Sequence, residues 1–446
     1  MPGRGPDRSG ELRYRSSVPL AARHPFHALR HRNFRLFFIG QFVSLVGTWM
    51  QVVAQGWLVL ELSNSPFLVG LVTSLESLPI LLFTLYGGVL ADKVDKRRAI
   101  SFLQTGMLLE SLALTLLTAT GHITVAWVMV LAPVLGVFSA FEVPIRQAFM
   151  MEMVGREDLI NAIALNSSVF NLTRIVGPVV AGGLIAGLGT TACFAANTVS
   201  FLAVIIAFGR MRPPFPGARE RKSDLRPTFR DGVQYALGRA EPRALLGLAA
   251  ALSIFGLGPV LAMLPVYARQ VLNLGAGGYG GLMSAVGVGA ALGAIAMASF
   301  GHRVDRKRLI TTATLLFAAV LALSATHHSY PMALVGLAVT GFGSVLAAIS
   351  TNTLLQTEAP DQLRGRVMGF YSFVVLGLAP FGSLQAGWIS EHFGVPVSFV
   401  VGAVVCSLVA LGLAWNRNRS VRPGPRTHGS GTAHGSSAST EPEARR

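Results

Sequence analysis

Charge is scarce in this chain. Only 13% of its 446 residues are Asp, Glu, Lys or Arg, while 52% are apolar and the mean hydropathy is +0.54; soluble domains carry about 25% charged residues. That deficit excludes a water-soluble globule. Cysteine is equally sparse. Cys193 and Cys406 are the only two, both inside apolar runs, so they are expected to be free thiols packed as small apolar residues. No Gly-x-x-x-x-Gly-Lys-Ser/Thr loop is present, which argues against an ATP-driven pump. No His/Cys group has metal-ligand spacing and no nucleophile elbow occurs, which argues against a membrane enzyme. No cofactor is implied.

What the chain has instead is apolar length. Crossing about 30 Å of hydrocarbon at 1.5 Å per residue takes roughly 20 apolar residues, and such runs recur along almost the whole sequence. The runs predict an all-α membrane protein of twelve transmembrane helices, six per half. The first six are expected over 37–61, 67–91, 98–118, 123–146, 160–185 and 190–209. The second six are expected over 243–270, 277–300, 308–326, 331–355, 366–390 and 396–415, with the fourth and tenth spans extending toward their following loops.

The net charge of +16 would suggest nucleic acid in a soluble protein. Its distribution decides otherwise. Basic residues precede the first span, follow the second, eighth, tenth and twelfth, and crowd the 210–243 connection. The opposite loops carry essentially none, Arg269 excepted. The positive-inside rule then predicts both termini in the cytoplasm, with the chain multi-pass in the cell (inner) membrane, lipid as its surroundings and no nucleic-acid partner. The first span is expected to serve as its own insertion signal. The expected division is 1–34, a disordered basic tail; 35–209, a first six-helix bundle; 210–242, a linker; 243–415, a second bundle; and 416–446, a second disordered tail. Within the linker, 229–237 is expected to form a short amphipathic surface helix.

The halves repeat each other. Lys93-Val94-Asp95-Lys96-Arg97-Arg98-Ala99-Ile100 returns about 210 residues later as Arg303-Val304-Asp305-Arg306-Lys307-Arg308-Leu309-Ile310. Glu157-Asp158-Leu159 is echoed by Asp361-Gln362-Leu363, and Gly177-Pro178 by Ala379-Pro380. Landmarks matched in order signal a duplicated helical bundle, an architecture that moves solutes across membranes.

The run Gly88-x-x-x-Asp92-Lys93-x-x-x-Arg97-Arg98 resembles the loop signature of the major facilitator superfamily. That resemblance implies two pseudo-symmetric six-helix bundles around a central cavity. Asn33-Phe34-Arg35-Leu36-Phe37, Pro144-Ile145-Arg146-Gln147-Ala148-Phe149, Asn161-Ala162-Ile163-Ala164-Leu165-Asn166, Arg174-Ile175-Val176-Gly177-Pro178 and Leu363-Arg364-Gly365-Arg366-Val367-Met368-Gly369 resemble its enterobactin-exporter-like and drug-efflux branch. The resemblance further implies a conformational latch in which Asp92, with Lys93, Arg97, Glu142 and Arg146 nearby, docks on the start of the eleventh helix near Gly365, Gly88 permitting close approach. The chain departs from the pattern in placing Asp95 where the superfamily loop has Gly. Its second copy has Ala298 and His302 in place of Gly88 and Asp92, so gating is expected from the first loop only. The antiporter signature of the fifth span is partly present, in Gly177-Pro178-Val179-Val180-Ala181-Gly182-Gly183.

Acids inside spans are costly, about 2.5 to 3.5 kcal/mol each on insertion scales, and they fall only in the first half. Glu142 and Arg146, four apart, share a helix face and can pair. Glu76 and Glu110 have no cation on their own helices. Two readings stand for each: a carboxyl that loads and releases protons, Glu76 ranked first, or one arm of an interhelical pair, with Arg174 as a candidate partner. On the first span Gln41, Ser44, Thr48, Gln51 and Gln55 recur every three or four residues, one helical face; Ser167, Asn171 and Arg174 do the same on the fifth. Both faces are expected to line a wet cavity rather than to make helix–helix hydrogen bonds.

The chain is thus expected to be a monomeric secondary transporter exporting small amphipathic organic molecules by proton antiport with alternating access. A uniporter or importer is the alternative within transport, and a non-transporting sensor or scaffold the alternative outside it.

Overall fold

The computed structural model describes residues 26–91, 93–212 and 229–420. Both expected tails lie largely outside the described residues, as does Asp92. Among the described residues twelve helices are long and apolar enough to cross a membrane. They are α1 (Arg32–Ser63), α2 (Pro66–Ala91), α3 (Lys96–Ala119), α4 (Val125–Gly155), α5 (Glu157–Leu188), α6 (Thr190–Gly209), α7 (Ala240–Val271), α8 (Ala276–Phe300), α9 (Arg306–Thr326), α10 (Tyr330–Glu358), α11 (Arg364–Phe393) and α12 (Val395–Trp415). The chain is a multi-pass membrane protein. As expected, α4 and α10 run past the apolar stretch, to Gly155 and Glu358. A short helix, Phe229–Gly238, lies across the start of α11, where a Cβ on Gly232 would overlap Arg366.

Local chemistry sets the boundaries. Asn64, at φ 50°, ends α1 in the left-handed conformation that closes helices. The Ser65 hydroxyl then accepts the Leu68 N–H at 3.2 Å and opens α2. Gly155, at φ 71°, turns α4 directly into α5. The repeated basic loop now has a structural reason. Asp95 and Asp305 are N-caps, accepting from Arg98 N–H at 3.1 Å and Lys307 N–H at 3.0 Å. The departure at Asp95 is therefore a helix start shared by both halves.

In the second half two helices are broken. α7 is interrupted at Gly256 (φ −93°, ψ −134°), and α11 at Leu378, just ahead of Pro380, which lacks the N–H a continuous helix needs. The matching Pro178 leaves α5 unbroken.

Two seams join the bundles. On one, α2 meets α11: Gly70 lies against the Ser383 carbonyl and against Gly387. On the other, α5 meets α8: Cβ atoms on Gly182 and Gly287 would lie 3.0 Å from the carbonyl oxygens of Ala276 and Arg174. Small residues let these backbones touch. Both seams lie toward the end opposite the basic loops, and they reach inward to Leu81 on Gly377 and to Arg174 on Gly287. Farther toward the basic end, Gly88, Gly365 and Gly369 have no neighbour within 4 Å of a would-be Cβ. Among the described residues the bundles touch through glycines at one end and stand apart at these three glycines of the other.

Polar links across the bundles reinforce the closed end. Glu391 of α11 accepts the Ser65 hydroxyl at 2.8 Å and the Phe67 N–H at 3.0 Å, capping α2 from the other bundle. Arg269 of α7 donates to the Leu60 carbonyl at 3.4 Å, at the C-terminal turn of α1. A carboxylate on a helix N-terminus and a guanidinium on a C-terminus both complement the helix dipole.

Candidate functional site

The polar face of α1 does not line a wide aqueous cavity. Gln41, Ser44, Gln51 and Gln55 are all buried, and Thr48 donates to the Ser44 carbonyl at 2.9 Å. The reason is Gly47. With no side chain there, α6 comes so close that a Cβ would collide with Asn197 Oδ1 and Ser200 Oγ. The face expected to meet water meets α6, α3 and α2 instead.

That contact builds a hydrogen-bonded chain. Ser200 Oγ lies 2.7 Å from the Asn197 carbonyl and 2.9 Å from Asn197 Oδ1, Asn197 Nδ2 donates to Gln51 Oε1 at 2.6 Å, and Gln51 Nε2 donates to Glu110 at 3.0 and 3.2 Å. Each donor fixes the next amide, so Gln51 presents only N–H to the carboxylate. One turn along α1, Gln55 Nε2 donates to Glu76 Oε2 at 3.1 Å. Among the described residues neither Glu76 nor Glu110 forms an ion pair.

Glu76 and Gln55 open onto a cavity of about 260 Å³ between the bundles. Its walls include Trp49 of α1, Thr73 and Ser77 of α2, Tyr279 and Met283 of α8, and Ser383 of α11. Beyond Trp49 the Arg174 guanidinium sits 5.9 Å from the indole centroid, and Phe170 meets the same ring edge-on at 6.1 Å. Arg174 is thus a cation–π partner. Among the described residues it pairs with no carboxylate, so the suggested Arg174–Glu pair is not formed. Ser167 is exposed, and Asn171 donates to the Ser167 carbonyl at 2.9 Å along the same face of α5.

Of the expected latch residues Glu142 and Arg146 lie together, while Asp92, on which the latch turns, lies outside the described residues. Arg97 donates to the carbonyls of Phe208 and Gly209 at 2.8 and 2.9 Å, occupying the C-terminus of α6. Arg146 pairs with Glu142 at 2.9 Å, and Gln104 donates to Glu142 at 3.4 Å. Lys93 is exposed, and Gly88 and Gly365 face open space.

The comparisons with known proteins fit this architecture. Residues 23–423 match the model of a family described as transmembrane secretion effector. The chain belongs to that family, within the major facilitator superfamily. Among its relatives are the Staphyloferrin A transporter of Staphylococcus aureus (strain NCTC 8325 / PS 47), 22% identical over 89% of this chain and 99% of the relative; the multidrug efflux pump Tap of Mycolicibacterium fortuitum, 28% identical over 79% and 88%; and the enterobactin exporter EntS of Shigella boydii serotype 4 (strain Sb227), 26% identical over 80% and 86%. A solved bacterial homolog of the human lysosomal transporter Spinster, inward-facing and unoccupied, superposes with a TM-score of 0.69 at 14% identity, covering 89% of this chain and 99% of that one. The superfamily and branch resemblances both hold, and this member of the transmembrane secretion effector family is a transporter, not an enzyme.

Several functional groups escaped the sequence reading. Asn197 and Ser200 are polar residues three apart in the largely apolar α6, a visible signal. Arg269, the one basic residue in the opposite loops, was another. Nothing local marked the contact of the segment before α1 with the start of α5, where buried Asp158 takes His27 at 3.0 Å, Arg30 at 2.8 Å and His31 at 2.7 Å.

Proposed function

We infer that this transporter exports small amphipathic organic molecules in exchange for protons, by alternating access, from the cell (inner) membrane with both termini cytoplasmic. One observation carries the coupling: within the first bundle Glu110 is buried and Glu76 half-buried at the cavity wall, each held by an amide of α1 and neither by a cation. An amide donor serves a carboxylate and a carboxylic acid alike, so either acid can change protonation without an ion pair being broken. Glu142, paired with Arg146, is instead a structural group.

The basic loops support the orientation, since positive residues stay on the cytoplasmic side; on that orientation the parted end faces the cytoplasm. Two of the relatives named above are a multidrug efflux pump and an exporter, which supports outward transport. The apolar and aromatic walls support an amphipathic substrate.

The test is ethidium movement in proteoliposomes of defined orientation. Exchange predicts flux driven by an imposed pH gradient and abolished by dissipating it. Flux indifferent to the gradient would establish a uniporter.

A further inference from the structure

A second cavity, of about 650 Å³, lies in the first bundle at the basic end and shares no lining residue with the one beside Glu76. Glycines on two helices make it. Gly87 lets α2 settle against the Ala140 carbonyl and Pro144 of α4, and a Cβ on Gly106 of α3 would overlap the Phe138 ring of α4. Each of the two helices thus packs tightly on α4, while α2 and α3 touch each other little. A groove is left between them. Leu90 and Val94 form one wall, Phe102 and Leu103 the other, and Val137 and Phe141 the floor; no residue of the second half lines it.

The groove is apolar inside and basic at its rim. Asp95 and Arg98 are its only polar lining residues, and exposed Phe102 stands one turn beyond exposed Arg98 on the same face of α3. A cation above a row of apolar side chains repeats the order of a phospholipid, head group over chain. Between 92 and 98 the sequence carries four cations and two acids. Lys96 is taken up by Glu152 at 2.6 Å, and Arg97 by the carbonyls of Phe208 and Gly209. Asp95 accepts the Arg98 backbone N–H at 3.1 Å and lies 3.6 Å from its Nε, which leaves the Arg98 Nη groups without an acceptor among the described residues. Lys93 is exposed and forms no ion pair among those residues. Two cations at the mouth therefore keep free donors. A small solute would need polar groups inside the site to orient it, and the groove has none. On the orientation inferred above, its mouth lies at the cytoplasmic interface, where anionic head groups gather.

We propose that this groove is a binding site for an anionic glycerophospholipid of the cytoplasmic leaflet, one acyl chain lying between α2 and α3 on α4 and the phosphate held by Arg98, with Lys93 adding charge beside it. The bound chain supplies the packing that α2 and α3 do not give each other. The site needs no transport step, so it stands or falls apart from proton exchange.

The test is native mass spectrometry of the purified, delipidated full-length protein titrated with dioleoyl phosphatidylglycerol or dioleoyl phosphatidylcholine, which share their chains and differ in the head group. The first phosphatidylglycerol is expected to bind at least about fivefold more tightly than the first phosphatidylcholine, the contribution of one basic residue beside an anionic head group. Arg98→Gln is expected to remove about fivefold from phosphatidylglycerol affinity and to leave phosphatidylcholine within about twofold. Ala99→Phe, which fills the groove and keeps the charges, is expected to weaken the first lipid of either kind at least about tenfold, the burial of about two CH₂ groups. Glycerol 3-phosphate, a head group without chains, is expected not to displace the bound lipid. Equal affinity of the two lipids for the unaltered protein overturns the proposal without recourse to any variant. Displacement by glycerol 3-phosphate, an undiminished preference in Arg98→Gln, or unchanged binding by Ala99→Phe would overturn it as well, since charge alone or another surface would then hold the lipid.

Discussion

At the basic end the two halves of the chain are tied in the same way. Lys96 of α3 reaches Glu152 of α4 at 2.6 Å, and Lys307 of α9 reaches Glu358 of α10 at 3.6 Å; an Asp caps α3 and α9 alike. In the interior they differ. The first half buries Glu110 and Glu142 and half-buries Glu76 within its helices, whereas every described acid of the second half, Glu241, Asp305, Glu358, Asp361 and Glu391, stands at or beside a helix end. The second half instead breaks its helices, at Gly256 and Leu378. The shared features are those that start and fasten helices, and the divergent ones are those that give a transporter its chemistry and its joints.

The largest effect should come from the acids. Glu76→Gln combined with Glu110→Gln is expected to reduce gradient-driven ethidium flux to that of empty vesicles, while Glu241→Gln combined with Glu358→Gln leaves it within about twofold, as exposed pairs contribute little. Equal losses from both pairs would erase the functional contrast between the halves.

Stability should show the next largest difference. Gln51→Leu takes from Glu110 its amide donor and from Asn197 its acceptor, so a cost of about 2 to 3 kcal/mol is expected. Gln385→Leu in the second half gives up one bond to the Ile254 carbonyl at 3.1 Å, for which about 1 kcal/mol is expected. Thermal unfolding in one detergent ranks the two, and a Gln385 variant as damaged as the Gln51 variant would contradict the network described for α1.

Smaller effects should come from the closed end. Gly70→Ala drives a methyl into the Ser383 carbonyl and is expected to part the α2–α11 seam, raising the thiol-labelling rate of a cysteine placed at Ser65. Glu391→Gln and Arg269→Gln remove one dipole-complementing charge each. An exposed charge at a helix end contributes about 0.3 to 1 kcal/mol, so each should raise the same labelling rate about 2- to 5-fold. Unchanged labelling in both would mean that the seams hold the end closed without these caps.

Much of this was legible in the sequence. The twelve spans followed from apolar length, the duplication from the Asp95 and Asp305 loops, and the burial of acids in one half from their positions. The polar face of α1 was also visible, because a spacing of three and four fixes which residues share a side. What it faces was not visible, because periodicity says nothing about how near a neighbouring helix comes. Gly47 decided that, by admitting α6 and drawing Gln51 into a buried network. The Asp158 cluster and the Glu391 cap join residues more than a hundred positions apart, and no local pattern encodes such contacts. The latch expected around Gly88 and Gly365 turns on Asp92, which lies outside the described residues, and it stays an expectation.

The most direct test of proton coupling in the first bundle is to compare two modes of ethidium transport by the Glu110→Gln protein in proteoliposomes, since Glu110 lies outside the cavity that Glu76 lines. Exchange of labelled for unlabelled ethidium at equal pH needs the substrate pathway but no proton step. The account predicts that this counterflow persists while pH-driven flux falls to background. Full pH-driven flux in the Glu110→Gln variant would contradict it.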